Sequence, residues 1–212
     1  MPEELLDPRG LDIEVSFGGR AIGSARDLEL LKGLEHFPDG LYEAVLDSAT
    51  AGHQAPRLDS ATIVVDLNEE RVLVISVDEE TGAPMGTAYW HRNERWSWNT
   101  TSHLTTARHP GQGEAVWRLQ TGCRLDGNAV ELPVAVTELA CTGATPCDDR
   151  LLPPIVDDLP EALVLTFSVM PLPPGNYTCP GNPPALVDVS LPTPIGDRAI
   201  LDGHYWPARR IK

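Results

Sequence analysis

The sequence predicts a mainly β fold: an antiparallel β-sandwich in the second half and a smaller α+β portion in the first. Three observations carry this. The 20 prolines and 18 glycines are scattered along 212 residues, which suits many short strands and tight turns. β-branched runs recur at short intervals between turn residues, as strands require. Helical periodicity is confined to one stretch after Ser24. Apolar residues make up 42% of the chain, enough for a packed core.

The first portion, residues 1–110, opens with the alternating segment Leu11 to Phe17, ended by Gly18-Gly19. Period-two alternation followed by paired glycines reads as a strand entering a hairpin. Ser24 then precedes Leu28, Leu31 and Leu34, with Asp27 where a capping box takes Glu or Gln. The expected helix stops before the turn signal Phe37-Pro38-Asp39-Gly40,. A β-meander follows: Ala61 to Leu67 and Val72 to Val77, joined through Asn68 to Arg71, then Met85 to Trp90 and Arg95 to Thr100, joined through His91 to Glu94. The polar stretch Ser102 to Gly113 is the expected linker.

The second portion, residues 111–212, reads as strands only. Ala115 to Leu119, Ala129 to Leu139, Ala162 to Val169 and Leu186 to Leu191 are the expected core strands. Pro171 to Gly175 and Asn182-Pro183-Pro184 punctuate them. Turn signals at such intervals favour an immunoglobulin-like sandwich.

Formal net charge is −15, from 31 acidic and 16 basic residues. Residues 1–110 carry 19 acidic and 9 basic side chains, and residues 111–212 carry 12 and 7. Such a surface repels phosphate backbones, so nucleic acid is not an expected partner. It suits solubility, or attraction to a basic protein. No stretch approaches the roughly 20 apolar residues of a bilayer span. The acidic N-terminus, Met1 to Pro8, does not read as a secretory signal,. The expectation is a cytoplasmic chain or one whose leader is removed, with the extracytoplasmic setting favoured.

Catalytic machinery is not expected. The Gly-x-Ser-x-Gly elbow is missing,. The histidines at 36, 53, 91, 103, 109 and 204 are spread through turns, and His103 and His109 lack the helical glutamate of a metalloprotease,. Asp148-Asp149, Asp157-Asp158, Glu69-Glu70 and Glu79-Glu80 are sequence neighbours, which point to opposite faces of extended chain and read as loop solubilisers. No cofactor and no metal are expected. The most suggestive cluster is aromatic: Tyr89, Trp90, Trp96 and Trp98. On a strand, Trp96 and Trp98 share a face, where they either fill the core or form a binding surface for a sugar or a protein partner.

Cys123, Cys141, Cys147 and Cys179 all lie in the second portion, and four cysteines allow three complete pairings,. Disulfides, reduced buried thiols and a zinc site are the alternatives, the last lacking the usual two-residue spacing.

Two resemblances add to this. Glu138 to Cys141, then Tyr177-Thr178-Cys179-Pro180-Gly181-Asn182-Pro183-Pro184, Val187 to Leu191 and Pro194 to Gly203 together resemble a β-domain of actinobacterial exported proteins and lipoproteins of unknown function. The match spans roughly residues 128–206. It implies a Cys141–Cys179 bond, with Cys123 and Cys147 as a second pair, and a non-catalytic module. The scarcity of lysine (Lys32 and Lys212 alone) beside abundant arginine fits such a source. In the first portion, the strand, the capped helix and the paired strands Ala61 to Leu67 and Arg71 to Val77 resemble bacterial immunity proteins that neutralise polymorphic toxins. That resemblance implies an acidic inhibitor of a basic toxin.

Overall fold

The structure, a computed structural model, describes residues 7–18, 20–29, 31, 37–53, 56, 58, 62–77, 84–106 and 111–211. The chain forms two compact units, Met1–Ala107 and Arg108–Lys212. Both are built from short strands, and the only helices of more than a single turn among the described residues lie in the first.

In the first unit, β1 (Glu14–Phe17) pairs with β2 (Arg20–Ser24) and with β7 (Thr105–Thr106). The capping box forms at the end of β2. Ser24 Oγ accepts from the Asp27 amide at 3.1 Å, and the Asp27 carboxylate takes both the Ser24 hydroxyl (2.7 Å) and the Ser24 amide (3.1 Å). These bonds to Ser24 hold the Asp27 carboxyl below its ordinary range. The helix they start, α1, is short, Ala25–Glu29. Leu31 follows in a turn, its amide on the Leu28 carbonyl, so the longer helix expected to reach Leu34 is not seen. Leu34 itself lies outside the described residues.

A second helix, α2 (Leu41–Thr50), starts where only a turn was expected. Gly40 precedes it at φ +75°, a left-handed conformation that suits glycine,. Leu41, Ala44, Val45 and Ser48 form its buried face, the spacing of one helical stripe. The meander is complete and antiparallel, in the order β3 (Ile63–Asn68), β4 (Arg71–Val77), β5 (Pro84–Arg92), β6 (Arg95–His103). Its sheet is covered on both faces. Leu41, Ala44 and Val45 of α2 pack on Val72, Val74 and Tyr89. On the opposite face, Phe17 of β1 lies against Gly86, where an added Cβ would fall 2.8 Å from the Phe17 ring. The front of the expected linker is therefore strand: Ser102 and His103 end β6, and Thr105–Thr106 form β7. Residues 107–110, His109 among them, lie outside the described residues.

The second unit is a sandwich of two four-stranded sheets. One has the order β10 (Ile155–Asp158), β11 (Ala162–Thr166), β14 (Ala199–Asp202), β15 (Arg209–Arg210). The other has the order β12 (Ser168–Val169), β8 (Gly113–Leu119), β9 (Glu131–Glu138), β13 (Ala185–Ser190). The expected strand Ala162 to Val169 divides at Phe167, fully buried, so that β11 and β12 join different sheets. Trp117 fills the space between the sheets. Its indole N–H donates to the Leu165 carbonyl at 3.1 Å and its ring meets Phe167 at 5.8 Å. One pair, β11 with β14, is parallel, a departure from the all-antiparallel expectation.

Cys141 and Cys179 are bonded, with Cα atoms 4.6 Å apart. Both are exposed, and they join the segment leaving β9 to the one approaching its sheet neighbour β13. The bond therefore clamps adjacent strands of one sheet, whereas an immunoglobulin bond crosses between sheets. Asn182 reinforces the clamp: its amide donates to the Glu138 and Ala140 carbonyls at 2.7 and 2.6 Å, and its carbonyl accepts from Thr142. The implied second pair does not form. Cys123 and Cys147 are free thiols, and Cys147 is buried against the Val136 carbonyl among the core residues. Burial, and then the neighbouring Glu138 carboxylate, push its thiol up. Arg198 is bonded to Asp158 and to the Ile195 and Pro194 carbonyls, closing the loop before β14.

Candidate functional site

The aromatic cluster lies on β5 and β6, and the pairing register decides which side chains meet. Tyr89 stands opposite Trp98, and His91 opposite Trp96. Directly opposed residues share a face, so Tyr89, His91, Trp96 and Trp98 all project toward α2. Trp90 stands opposite Ser97 and projects the other way. There its ring is flanked by guanidinium groups, Arg92 at 3.9 Å and Arg71 at 5.1 Å. The four aromatic residues expected to act together are thus split three to one by the pleat.

Tyr89 is fully buried and anchors the helix to the sheet. Its hydroxyl meets Ser48 Oγ at 3.1 Å, while Ser48 bonds the Val45 carbonyl at 2.7 Å. Burial raises the phenol above its usual range, and the hydroxyl contact opposes that in part. Tyr89 is structural; Trp96 and Trp98 are half-buried and border open space. The Trp96 indole donates to the Asp39 carbonyl at 3.1 Å, fixing its ring beside the start of α2. Trp98 donates to Thr101 Oγ1 at 3.2 Å, and the His53 ring stacks on it at 4.0 Å, the planes 6° from parallel.

Between α2 and β6 runs an open groove of about 440 Å³, with Trp96, Trp98, Ser48 and His53 along it and Asp47, Arg92 and Arg95 at its margins. A smaller hollow of about 100 Å³ lies beside Trp96, bordered by Asp39, Glu43, Asp47, Glu94 and Arg95. The polar atoms at the base of the groove are engaged in bonds that hold the fold. What faces outward is indole surface edged with charge, an arrangement that takes up a ligand by stacking and ion pairing.

The β5–β6 turn adds one further element. Asn93 and Glu94 have φ of +51° and +62°, the two-residue hairpin turn whose twist matches its strands. The His91 amide donates to the Glu70 carbonyl at 2.7 Å, away from β6. The His91–Trp96 pair is therefore the kind that exchanges no backbone bonds, and the Trp96 N–H and C=O point out of the sheet. Trp98 has the same parity. β6 is the last strand of its sheet among the described residues, and at Trp96 and Trp98 none of those residues bonds these outward groups.

Among the described residues, no helix is long and apolar enough to cross a membrane. No group of three or more His, Cys, Asp or Glu there is placed to hold a metal ion. Asp47, Ser48 and His53, which sequence reasoning passed over, join the site because α2 and the turn after it bring them to β6, and Arg95 joins from the start of β6 itself. The signal that would have found them is the apolar spacing Leu41, Ala44, Val45. Comparison with protein-family models, with curated proteins and with solved structures gives no match for this chain.

Proposed function

We propose that the protein is a non-catalytic binding module whose working surface is the groove between α2 and β6, and that its ligand is a protein. The observation that carries this is the pair of half-buried indoles, Trp96 and Trp98, held in fixed orientation by Asp39 and Thr101 and bordered by exposed charge. Rigid aromatic side chains at a partly open surface supply large contact area at little entropic cost, as binding hot spots do. The second unit serves as a stable structural part, its clamp built from Cys141, Cys179 and Asn182. A disulfide of this kind supports an extracytoplasmic setting. It also agrees with the resemblance to exported actinobacterial domains.

A second reading, an acidic inhibitor of a basic toxin, draws on the carboxylates Asp39, Glu43, Asp47 and Glu94 beside Trp96. It shares the same surface and differs in its prediction of steep salt dependence.

A photo-cross-linking residue placed at exposed Ala51, which borders the groove just after α2, tests the proposal in the source cell, with the same residue at exposed Asp188 of β13 as the comparison. Cross-links to a partner from position 51, lost when Trp98→Ala is added, are expected. Cross-links from position 188 alone would move the working surface to the second unit.

A further inference from the structure

We infer that the groove takes an extended peptide segment of a basic partner, which adds to the sheet as a strand along β6 and places basic side chains at alternate positions between the indoles and the carboxylates. This rests on the binding-module reading above and names the chemistry of its partner.

Three features on the same side of the unit lead here. The first is the edge. An unpaired strand edge presents a row of N–H and C=O groups that another chain can satisfy. Here the outward groups belong to Trp96 and Trp98, as the His91 amide bond to Glu70 and the pairing register show. The second is parity. A residue of an added strand that exchanges backbone bonds with Trp96 or Trp98 lies directly opposite it and shares its face. Its side chain then enters the groove under α2, and the next residue but one does the same.

Charge complementarity is the third. Asp39, Glu43, Asp47 and Glu94 are all exposed around Trp96. The opposing charges are Arg92 and Arg95 at the hairpin end. Both arginines border the groove beside Asp47, where Arg92 also stacks on Trp90, and Arg95 alone shares the small hollow. Around groove and hollow together the four carboxylates outnumber the two arginines, and the net charge of −15 reinforces the preference at longer range,. An ammonium or guanidinium group over the Trp96 face, with Glu43 and Asp47 beside it, gains from both the ring and the carboxylates.

The test uses the full chain and three synthetic octapeptides. One alternates valine and lysine, the second alternates valine and glutamate, and the third is the lysine peptide methylated at every lysine backbone nitrogen. Binding is read from tryptophan emission and from amide shifts at Trp96, Ser97 and Trp98. The lysine peptide is expected to shift these amides, and the glutamate peptide to leave them in place. Backbone methylation is expected to weaken binding by at least about tenfold, since it removes the bonds to the β6 edge. The exposed pair Glu43→Gln and Asp47→Asn is expected to weaken the lysine peptide severalfold without changing Tm. Equal affinity of the methylated peptide, with the amides still shifting, would overturn strand addition while leaving the groove as a binding surface. No response at residues 96–98 would overturn the inference; cross-linking from position 51 then decides separately whether the groove binds a partner at all.

Discussion

Replacing Cys141 and Cys179 together by serine removes the cross-link but little else. Both residues are exposed, so the change opens no core cavity, and the Asn182 bonds to Glu138 and Ala140 remain to hold the local geometry. The loss falls on the unfolded state, which gains the freedom of a loop whose ends are 38 residues apart. In the chain-entropy treatment that loop corresponds to about 4 kcal/mol at 25 °C. For a unit of this size, each kcal/mol moves the melting temperature by about 4–5 °C, so a fall of about 15–20 °C is expected. Urea unfolding followed by near-ultraviolet dichroism reads it. The second unit is monitored on Trp117 and Trp206 in a background where Trp90, Trp96 and Trp98 are phenylalanine. The midpoint should fall at unchanged slope. A loss below about 1 kcal/mol would refute the reasoning, because the loop would then be constrained by something other than the sulfur bridge.

Other changes follow from particular contacts. Gly86→Ala puts a methyl 2.8 Å from the Phe17 ring and 3.0 Å from Leu73, so overpacking should cost the first unit about 1–3 kcal/mol in chemical denaturation. Phe17→Leu in the same chain should restore part of it. Glu138→Gln leaves Arg150, whose side chain is 15% exposed and also bonded to the Met170 carbonyl, without its carboxylate. A loss toward about 3 kcal/mol in urea is expected, the lower end for a buried pair. The Tyr89 phenol and the Cys147 thiol both titrate above their ordinary values when folded. The unfolded chain therefore loses these protons first. Stability should hold below the ordinary ranges, near pH 9 for the thiol and 10 for the phenol, and fall as pH rises through them. Cys147→Ala and Tyr89→Phe should each flatten part of that fall in a Tm-against-pH series.

The strands were legible because their signals are local. Val72 to Val77 and Ala115 to Leu119 are largely apolar runs between turn residues, and both form strands where expected. The Ser24–Asp27 cap was legible for the same reason, since its bonds join residues three apart. The α2 helix was not. Pro38-Asp39-Gly40 marks a helix start as readily as a stop, and exposed Tyr42 and Leu46 blur the apolar stripe. With α2 unread, Asp47, Ser48 and His53 had no reason to join the tryptophans. The parity of Trp96 and Trp98 was readable from their spacing, and the same rule places Trp90 on the face opposite Tyr89. What spacing does not reveal is that β6 is the last strand of its sheet among the described residues, because strand order is set by contacts distant in sequence. The cysteines divide similarly. Cys141 and Cys179 meet because β9 and β13 are neighbours, while Cys147 is drawn into the core and away from Cys123.

Backbone amide exchange at Trp96, Ser97 and Trp98 in the unliganded protein tests the open edge beside the groove most directly. Ser97 faces β5 as part of a bonded pair with Trp90, so its amide should be protected, while the amides of Trp96 and Trp98 on either side exchange fast. Protection of Trp96 and Trp98 with rapid exchange at Ser97, or protection of all three, would contradict the account.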